Sequence, residues 1–63
     1  MQFYWVVYRK GSFPVKEPYA CAERAEQRFN ALMAERWHAN LIAPDAPREL
    51  RKLLDRCVEI PPP

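Results

Sequence analysis

Residues 3–8 form an unbroken run of aromatic and β-branched side chains, a pattern that is typical of a strand. Because side chains alternate across a strand, this run presents two different faces, Phe3, Trp5 and Val7 on one and Tyr4, Val6 and Tyr8 on the other. Neither face is suited to water. We therefore expect one face to pack on helices and the other to meet a strand, a returning loop or a second chain.

The only glycine, Gly11, marks a turn after this strand. The next residues, 13–16, are predicted to be either a short irregular strand or an extended loop, and Pro14 argues against a central strand. Pro18 suits the first turn of a helix, where the missing N–H of proline is not needed. The sequence thus predicts that the chain leaves the turn and enters a helix near Ala20.

Helical periodicity then extends over residues 20–37, with polar residues largely on the opposite side of the apolar positions Ala22, Ala25, Phe29, Leu32 and Met33. Asn40 is predicted to end this helix in the left-handed conformation. The apolar run 41–43 predicts a short strand beside the first, and both parallel and antiparallel pairing are open.

A second amphipathic helix is predicted between Asp45, as its N-cap, and Arg56, with Pro47 in the first turn. Its apolar stripe consists of Leu50, Leu53, Leu54 and Cys57. Residues 58–60 are expected to pack as a short extended piece, and residues 61–63, all proline, as a polyproline segment. The pattern predicts one small α+β domain over residues 1–63, with one or two short strands packed against two amphipathic helices.

Length and charge limit the choice of function. A chain of 63 residues buries only about 60% of its unfolded surface, so its stability is expected to depend on good packing or association. The net charge of +2 is too small to indicate nucleic-acid binding by itself. Seven arginines against three lysines suit a GC-rich bacterial or phage genome. The N-terminal sequence lacks the features of a secretory signal, which predicts a cytoplasmic protein without a membrane segment.

The sequence contains few residues that could act in catalysis or bind a metal. Ser12 is the only serine and threonine is absent, while Cys21 and Cys57 are more typical of packed thiols than of a disulfide in a reducing cytosol. Cys21, His38 and Cys57 lack the paired spacing of a zinc site. His38 is interpreted as a capping or packing residue near the end of the first helix. We therefore expect no enzyme activity, no cofactor and no metal.

Binding to another protein is the function that the pattern favours, because Trp and Tyr are the residues that most often anchor interfaces. The predicted partner-binding residues are Tyr4, Trp5 and Tyr8 on the strand, with Trp37 and the basic residues Arg48, Arg51 and Lys52 as a second surface. The strand is expected either to contact a partner, including a second copy in a homodimer, or to be covered on both faces within its own chain.

A protein-binding module or inhibitor is accordingly the leading hypothesis. The alternative is nucleic-acid binding, with bases stacked on the strand aromatics and phosphates held by Arg9, Lys10 and the basic residues of the second helix.

Overall fold

The computed structural model describes residues 2–63, in which a four-stranded sheet lies between two helical layers. The elements are β1 (Tyr4–Lys10), β2 (Phe13–Tyr19), α1 (Ala22–Ala34), β3 (Ala39–Ile42), α2 (Arg48–Arg51), a 3₁₀ helix (Lys52–Arg56) and β4 (Val58–Glu59). Because the 3₁₀ helix directly continues α2, residues 48–56 are called the α2 segment. The α+β class and the two helical elements agree with the prediction, although the sheet has more strands than the predicted one or two.

The strand order is β3-β1-β2-β4, which places the aromatic strand β1 in the interior of the sheet. β1 is antiparallel to both β2 and β3, and β4 is parallel to β2. The short strand predicted at 41–43 is present but begins earlier, at Ala39, and the extended piece predicted at 58–60 contains β4. The antiparallel pairing of β3 decides between the two arrangements that the sequence left open. Both hydrogen-bonding edges of β1 are therefore occupied by strands of its own chain.

A two-residue turn at Gly11 and Ser12 joins β1 to β2 in a hairpin. Gly11 has a φ of 67° whereas Ser12 is not in the positive-φ region, the pattern of a type II′ turn with glycine at its first central position. Tyr4 pairs with Tyr19 at the far end. The hairpin therefore runs the full length of both strands.

The prediction that Pro18 begins a helix was wrong, as was the expectation that Pro14 keeps its segment out of the sheet interior. Both prolines lie in β2, between β1 and β4. The amide of Ile60 donates to the Lys16 carbonyl at 3.0 Å, so the backbone polar groups of Lys16 point away from β1. Pro14 and Pro18 each lie two residues from Lys16, so their backbone groups also point away from β1 and toward the β4 side. On that side β4 pairs only with Val15 and Lys16, and neither proline has a strand beside it. Their missing N–H groups remove no ladder bond.

Helix α1 is shorter than the predicted span of 20–37, and Asn40 does not end it but lies in β3. Its C-terminus has the hydrogen bonds of a Schellman motif. The Trp37 amide donates to the Leu32 carbonyl at 3.0 Å, and the Arg36 amide to the Met33 carbonyl at 3.0 Å. Arg36 supplies the left-handed residue of this motif with a φ of 66°.

The hydrophobic core lies between α1 and the sheet. It consists of Val6, Tyr8, Val15, Ala25 and Leu32. These positions alternate along β1 and β2 and recur at helical spacing along α1, as an amphipathic pattern requires. Met33, predicted for the apolar stripe of α1, is instead 49% exposed.

The α2 segment covers the opposite face of the sheet much less completely. Pro47 is the N-cap of α2, and the predicted cap Asp45 lies in the preceding turn. No residue of the segment is buried, and its leucine stripe includes the exposed Leu50 and Leu53. Lys16 Nζ donates a hydrogen bond from the sheet to the Leu54 carbonyl of this segment at 2.8 Å. None of the helices in residues 2–63 is long and apolar enough to cross a membrane.

Candidate functional site

Three of the predicted partner-binding residues belong to the α1 side of the sheet. Tyr8 is buried in the core, and Tyr4 and Trp37 are half-buried and pack against that core. The Trp37 ring stands edge-on to the Tyr8 ring, with 5.5 Å between centroids. These aromatic residues stabilise the α1 layer, which is the arrangement expected if β1 is covered within its own chain.

A buried carboxylate lies at the centre of this layer. Glu17 is only 1% exposed and faces α1 from β2. Both oxygens are satisfied: Tyr8 Oη donates to Oε2 at 2.5 Å, Tyr19 Oη to Oε1 at 2.7 Å, and Arg28 donates to Oε1 from Nε at 3.0 Å and to Oε2 from Nη2 at 3.3 Å. No buried side-chain nitrogen or oxygen in residues 2–63 lacks a hydrogen-bond partner.

The ionisation of this network follows from its hydrogen bonds. Burial raises the pKa of Glu17, but the bonds from Arg28, Tyr8 and Tyr19 outweigh burial, and the net effect lowers the pKa below its ordinary value. Burial and the Glu17 carboxylate together raise the pKa of Tyr8 and of Tyr19. Glu17 is thus held as a charged acceptor and the phenols as donors, a state suited to holding structure and unsuited to proton transfer at neutral pH.

Sequence analysis missed Glu17 because Pro18 was interpreted as the start of a helix. The alternation of Val15, Glu17 and Tyr19 was the available signal, since it places a carboxylate between two apolar positions on one face of a strand. A helix arginine could then be expected opposite it.

The remaining predicted residues lie together on the α2 side. Trp5 lines a cleft of about 360 Å³ that we name the Trp5 cleft, together with Phe3, Lys16, Arg51, Leu54 and Asp55 among others. Lys16 Nζ lies over the indole, 4.9 Å from its centroid, and the Phe3 ring meets Trp5 edge-on at 5.7 Å. One face of the indole is therefore occupied by an ammonium group.

An adjoining groove continues this surface. It is lined by Arg48, Arg51, Lys52 and Asp55, and we name it the basic groove. Arg51 and Asp55 belong to both the basic groove and the Trp5 cleft. The structure thus brings four of the seven predicted residues into one continuous surface, Trp5, Arg48, Arg51 and Lys52.

Charge is divided unequally between the two sides of the sheet, which the sequence alone does not reveal. The α1 side has four acidic and four basic residues, Glu17, Glu23, Glu26 and Glu35 with Lys10, Arg24, Arg28 and Arg36. The α2 side, with the turn that leads into α2, has six basic residues against four acidic ones, Arg9, Lys16, Arg48, Arg51, Lys52 and Arg56 against Asp45, Glu49, Asp55 and Glu59. The α2 side is therefore the cationic face of the molecule.

A second cleft lies on the same side, at the opposite end of the α2 segment. This Arg9 cleft, of about 330 Å³, is lined by Arg9, His38, Arg56 and Cys57 among others. Cys57 Sγ donates to the Leu53 carbonyl at 3.2 Å, and burial raises the pKa of this thiol. Cys21 is exposed at the N-terminus of α1. Within residues 2–63, no three His, Cys, Asp or Glu side chains are grouped so that they could hold a metal ion.

Pairing of β1 with a second chain, one form of the expected homodimer, has little free backbone edge to use, because β2 pairs along all of β1 and β3 pairs with residues 5–8. Comparisons of the chain with protein-family models, with curated proteins and with solved structures found no match.

Proposed function

We propose that this chain is a non-catalytic protein-binding module or inhibitor that docks through its α2 side on an acidic surface of a larger protein. The observation that carries the proposal is the position of Arg51, which lines the Trp5 cleft and the basic groove at once. An aromatic anchor beside guanidinium groups is the composition typical of interface hot spots. We also propose a cytoplasmic location, which suits two free thiols.

The positive charge of the α2 side indicates what kind of partner surface it fits. Arg48, Arg51 and Lys52 are all exposed, so their charges are available to carboxylates of a partner. The exposed apolar surface of Leu50, 46% exposed, lies on the same segment. The partner segment that fits is therefore one in which acidic residues alternate with large apolar ones.

Nucleic-acid binding is less well supported by the same geometry. A base must stack on an aromatic face, and Lys16 Nζ already lies over the Trp5 ring. A phosphate backbone remains the alternative ligand for the basic residues.

The test is a binding titration with a fluorescein-labelled peptide rich in Asp, Glu and Leu, followed by fluorescence anisotropy. The triple charge reversal Arg48→Glu, Arg51→Glu and Lys52→Glu should weaken binding by at least about tenfold, equivalent to about 1.4 kcal/mol. The charge-matched control reverses three exposed basic residues of the α1 side together, Lys10→Glu, Arg24→Glu and Arg36→Glu, and should leave binding unchanged.

Labelled single-stranded oligo-dT distinguishes the alternative. The protein-docking proposal is wrong, and nucleic acid is the partner, if the oligonucleotide binds more tightly than the peptide and the logarithm of its binding constant falls steeply and linearly with the logarithm of the salt concentration. Light scattering completes the test, because a dimer that the triple reversal dissociates would identify the partner as a second copy.

A further inference from the structure

The Arg9 cleft has the composition of a site for a small ligand with a negative charge. We infer that it binds an organic anion whose carboxylate or phosphate group is held by Arg9 and Arg56. The apolar body of this ligand rests against Val7, Pro14 and Leu53. This inference does not depend on the proposed docking function.

The lining of the Arg9 cleft is cationic. It contains two guanidinium groups and His38 but no acidic residue, whereas the Trp5 cleft contains Asp55. The one ion pair within the described part of the chain joins Arg28 to Glu17, so Arg9 and Arg56 are not neutralised by a carboxylate of their own molecule. Guanidinium groups match the two-oxygen geometry of carboxylates and phosphates.

The rest of the Arg9 cleft is small and largely apolar. Val7 is buried in the sheet beneath the cleft, Pro14 is half-buried, and Leu53 is 38% exposed above it. Asn40 adds one neutral polar group. A volume of about 330 Å³ is at the small end of the usual range for ligand pockets, about 300–1,000 Å³. The ligand is therefore expected to be no larger than an anionic group joined to a short chain or a single ring.

Cys57 makes the cleft directly testable because its thiol is part of the lining, whereas Cys21 is exposed elsewhere and serves as an internal control. The probes are benzoate and phenyl phosphate, with benzamide as the neutral analogue. We measure the rate at which iodoacetamide alkylates each cysteine by mass spectrometry of the digested protein. Either anion should slow alkylation of Cys57 severalfold and leave Cys21 unchanged, and benzamide should have no effect.

Charge-removing variants assign the protection to the guanidinium groups. Arg9→Gln and Arg56→Gln should each abolish protection of Cys57, and Arg24→Gln on α1 should retain it. Both target side chains are exposed, so the fold should survive their replacement. Comparison of the two anions then shows whether the site prefers a planar carboxylate or a tetrahedral phosphate.

The raised pKa of Cys57 slows its alkylation, so an independent measurement accompanies it. In ¹H–¹⁵N spectra, titration with either anion should shift the amide signals of Val7 and Asn40 in a saturable way. The inference fails if neither anion produces saturable shifts, if benzamide acts as strongly as benzoate, or if the Arg9 and Arg56 variants keep full protection. None of these results bears on the peptide titration at the basic groove.

Discussion

Glu17 shows how a single buried charge can be accommodated in so small a protein. A carboxylate out of water is costly unless its oxygens are fully hydrogen-bonded, and here two phenols and one guanidinium supply the donors. Arg28 is 27% exposed at its side chain, so it connects the buried carboxylate to the surface of α1. Loss of the arginine would leave an uncompensated charge in the core.

Arg28→Met should accordingly lower the free energy of unfolding by about 3 kcal/mol, the low end of the range for breaking a buried pair. Urea denaturation followed by tryptophan fluorescence measures this change. Arg24→Met, at an exposed position of the same helix, is the control and should change stability by less than about 0.5 kcal/mol. Equal effects of the two substitutions would show that the Glu17 network contributes nothing specific.

The lowered pKa of Glu17 also predicts how stability depends on pH. The stabilisation is fully present above the ordinary value of 4.5 and is lost as the pH falls through the lower pKa of the folded state, because the unfolded chain then binds a proton more readily. Urea denaturation between about pH 6 and pH 3 should show this loss. Glu17→Gln should be less stable at pH 6 and should lose less stability on acidification, whereas Glu23→Gln, exposed on α1, should behave as the parent chain.

Sequence reasoning identified important residues more readily than their roles. Its aromatic character predicts Tyr8 as an interface residue, but its hydroxyl has an internal partner in Glu17, which no local pattern reveals. The sequence predicts both Trp5 and Arg51 as binding residues, yet their shared cleft depends on the fold bringing residues 5 and 51 together. The sequence shows which residue types are suited to binding. Which of them lie close together in space depends on the topology of the sheet.

At the scale of elements, the C-terminus of α1 carries a residue that is poorly suited to its conformation. Arg36 occupies the left-handed position of the Schellman motif, where glycine is usual because it has no Cβ. A side chain in this region costs about 1–2 kcal/mol, partly offset because glycine loses more entropy on folding.

Arg36→Gly should therefore stabilise the fold, by about 0.5–1 kcal/mol. Thermal denaturation followed by circular dichroism tests this, and an increase in Tm of a few degrees is expected. Arg24→Gly, in the interior of α1, should instead destabilise by about 1 kcal/mol. A decrease in Tm for Arg36→Gly would contradict the assignment of this C-cap.

Element types were predicted better than element boundaries. The strand at 3–8 and the helix around Ala25 to Leu32 have strong local patterns, whereas the short extended runs near Ile42 and Val58 have weaker ones. The second strand was obscured by two prolines, which are acceptable only because β4 is too short to pair beside them. That tolerance is a property of the assembled sheet and is not visible in residues 13–19 alone.

At the scale of the whole molecule, the two helical layers differ in how firmly they are held. α1 contributes the buried residues Ala25 and Leu32, whereas the α2 segment contributes none. Segments with few buried apolar contacts open at lower free energy than the core. The cationic face proposed for binding thus lies on the more adaptable layer.

Amide hydrogen exchange should reveal this difference. Amides of residues 50–56 are expected to exchange at least about tenfold faster than those in the middle of α1, because their opening does not require the core to unfold. Lys16→Met removes the bond to the Leu54 carbonyl and should accelerate exchange in the α2 segment further, with little effect on α1. Uniform protection across both layers would show that the α2 segment opens only on global unfolding.

The interior position of β1 has a consequence for biosynthesis. Among the elements of residues 2–63, β1 is translated first, and its first neighbour, β2, follows within the same hairpin. Its other neighbour, β3, is made only after the whole of α1, so one edge of a strongly apolar strand remains open on the growing chain throughout that interval. A nascent chain that stalls between Tyr19 and Ala39 would expose this edge and should be the form most prone to aggregate.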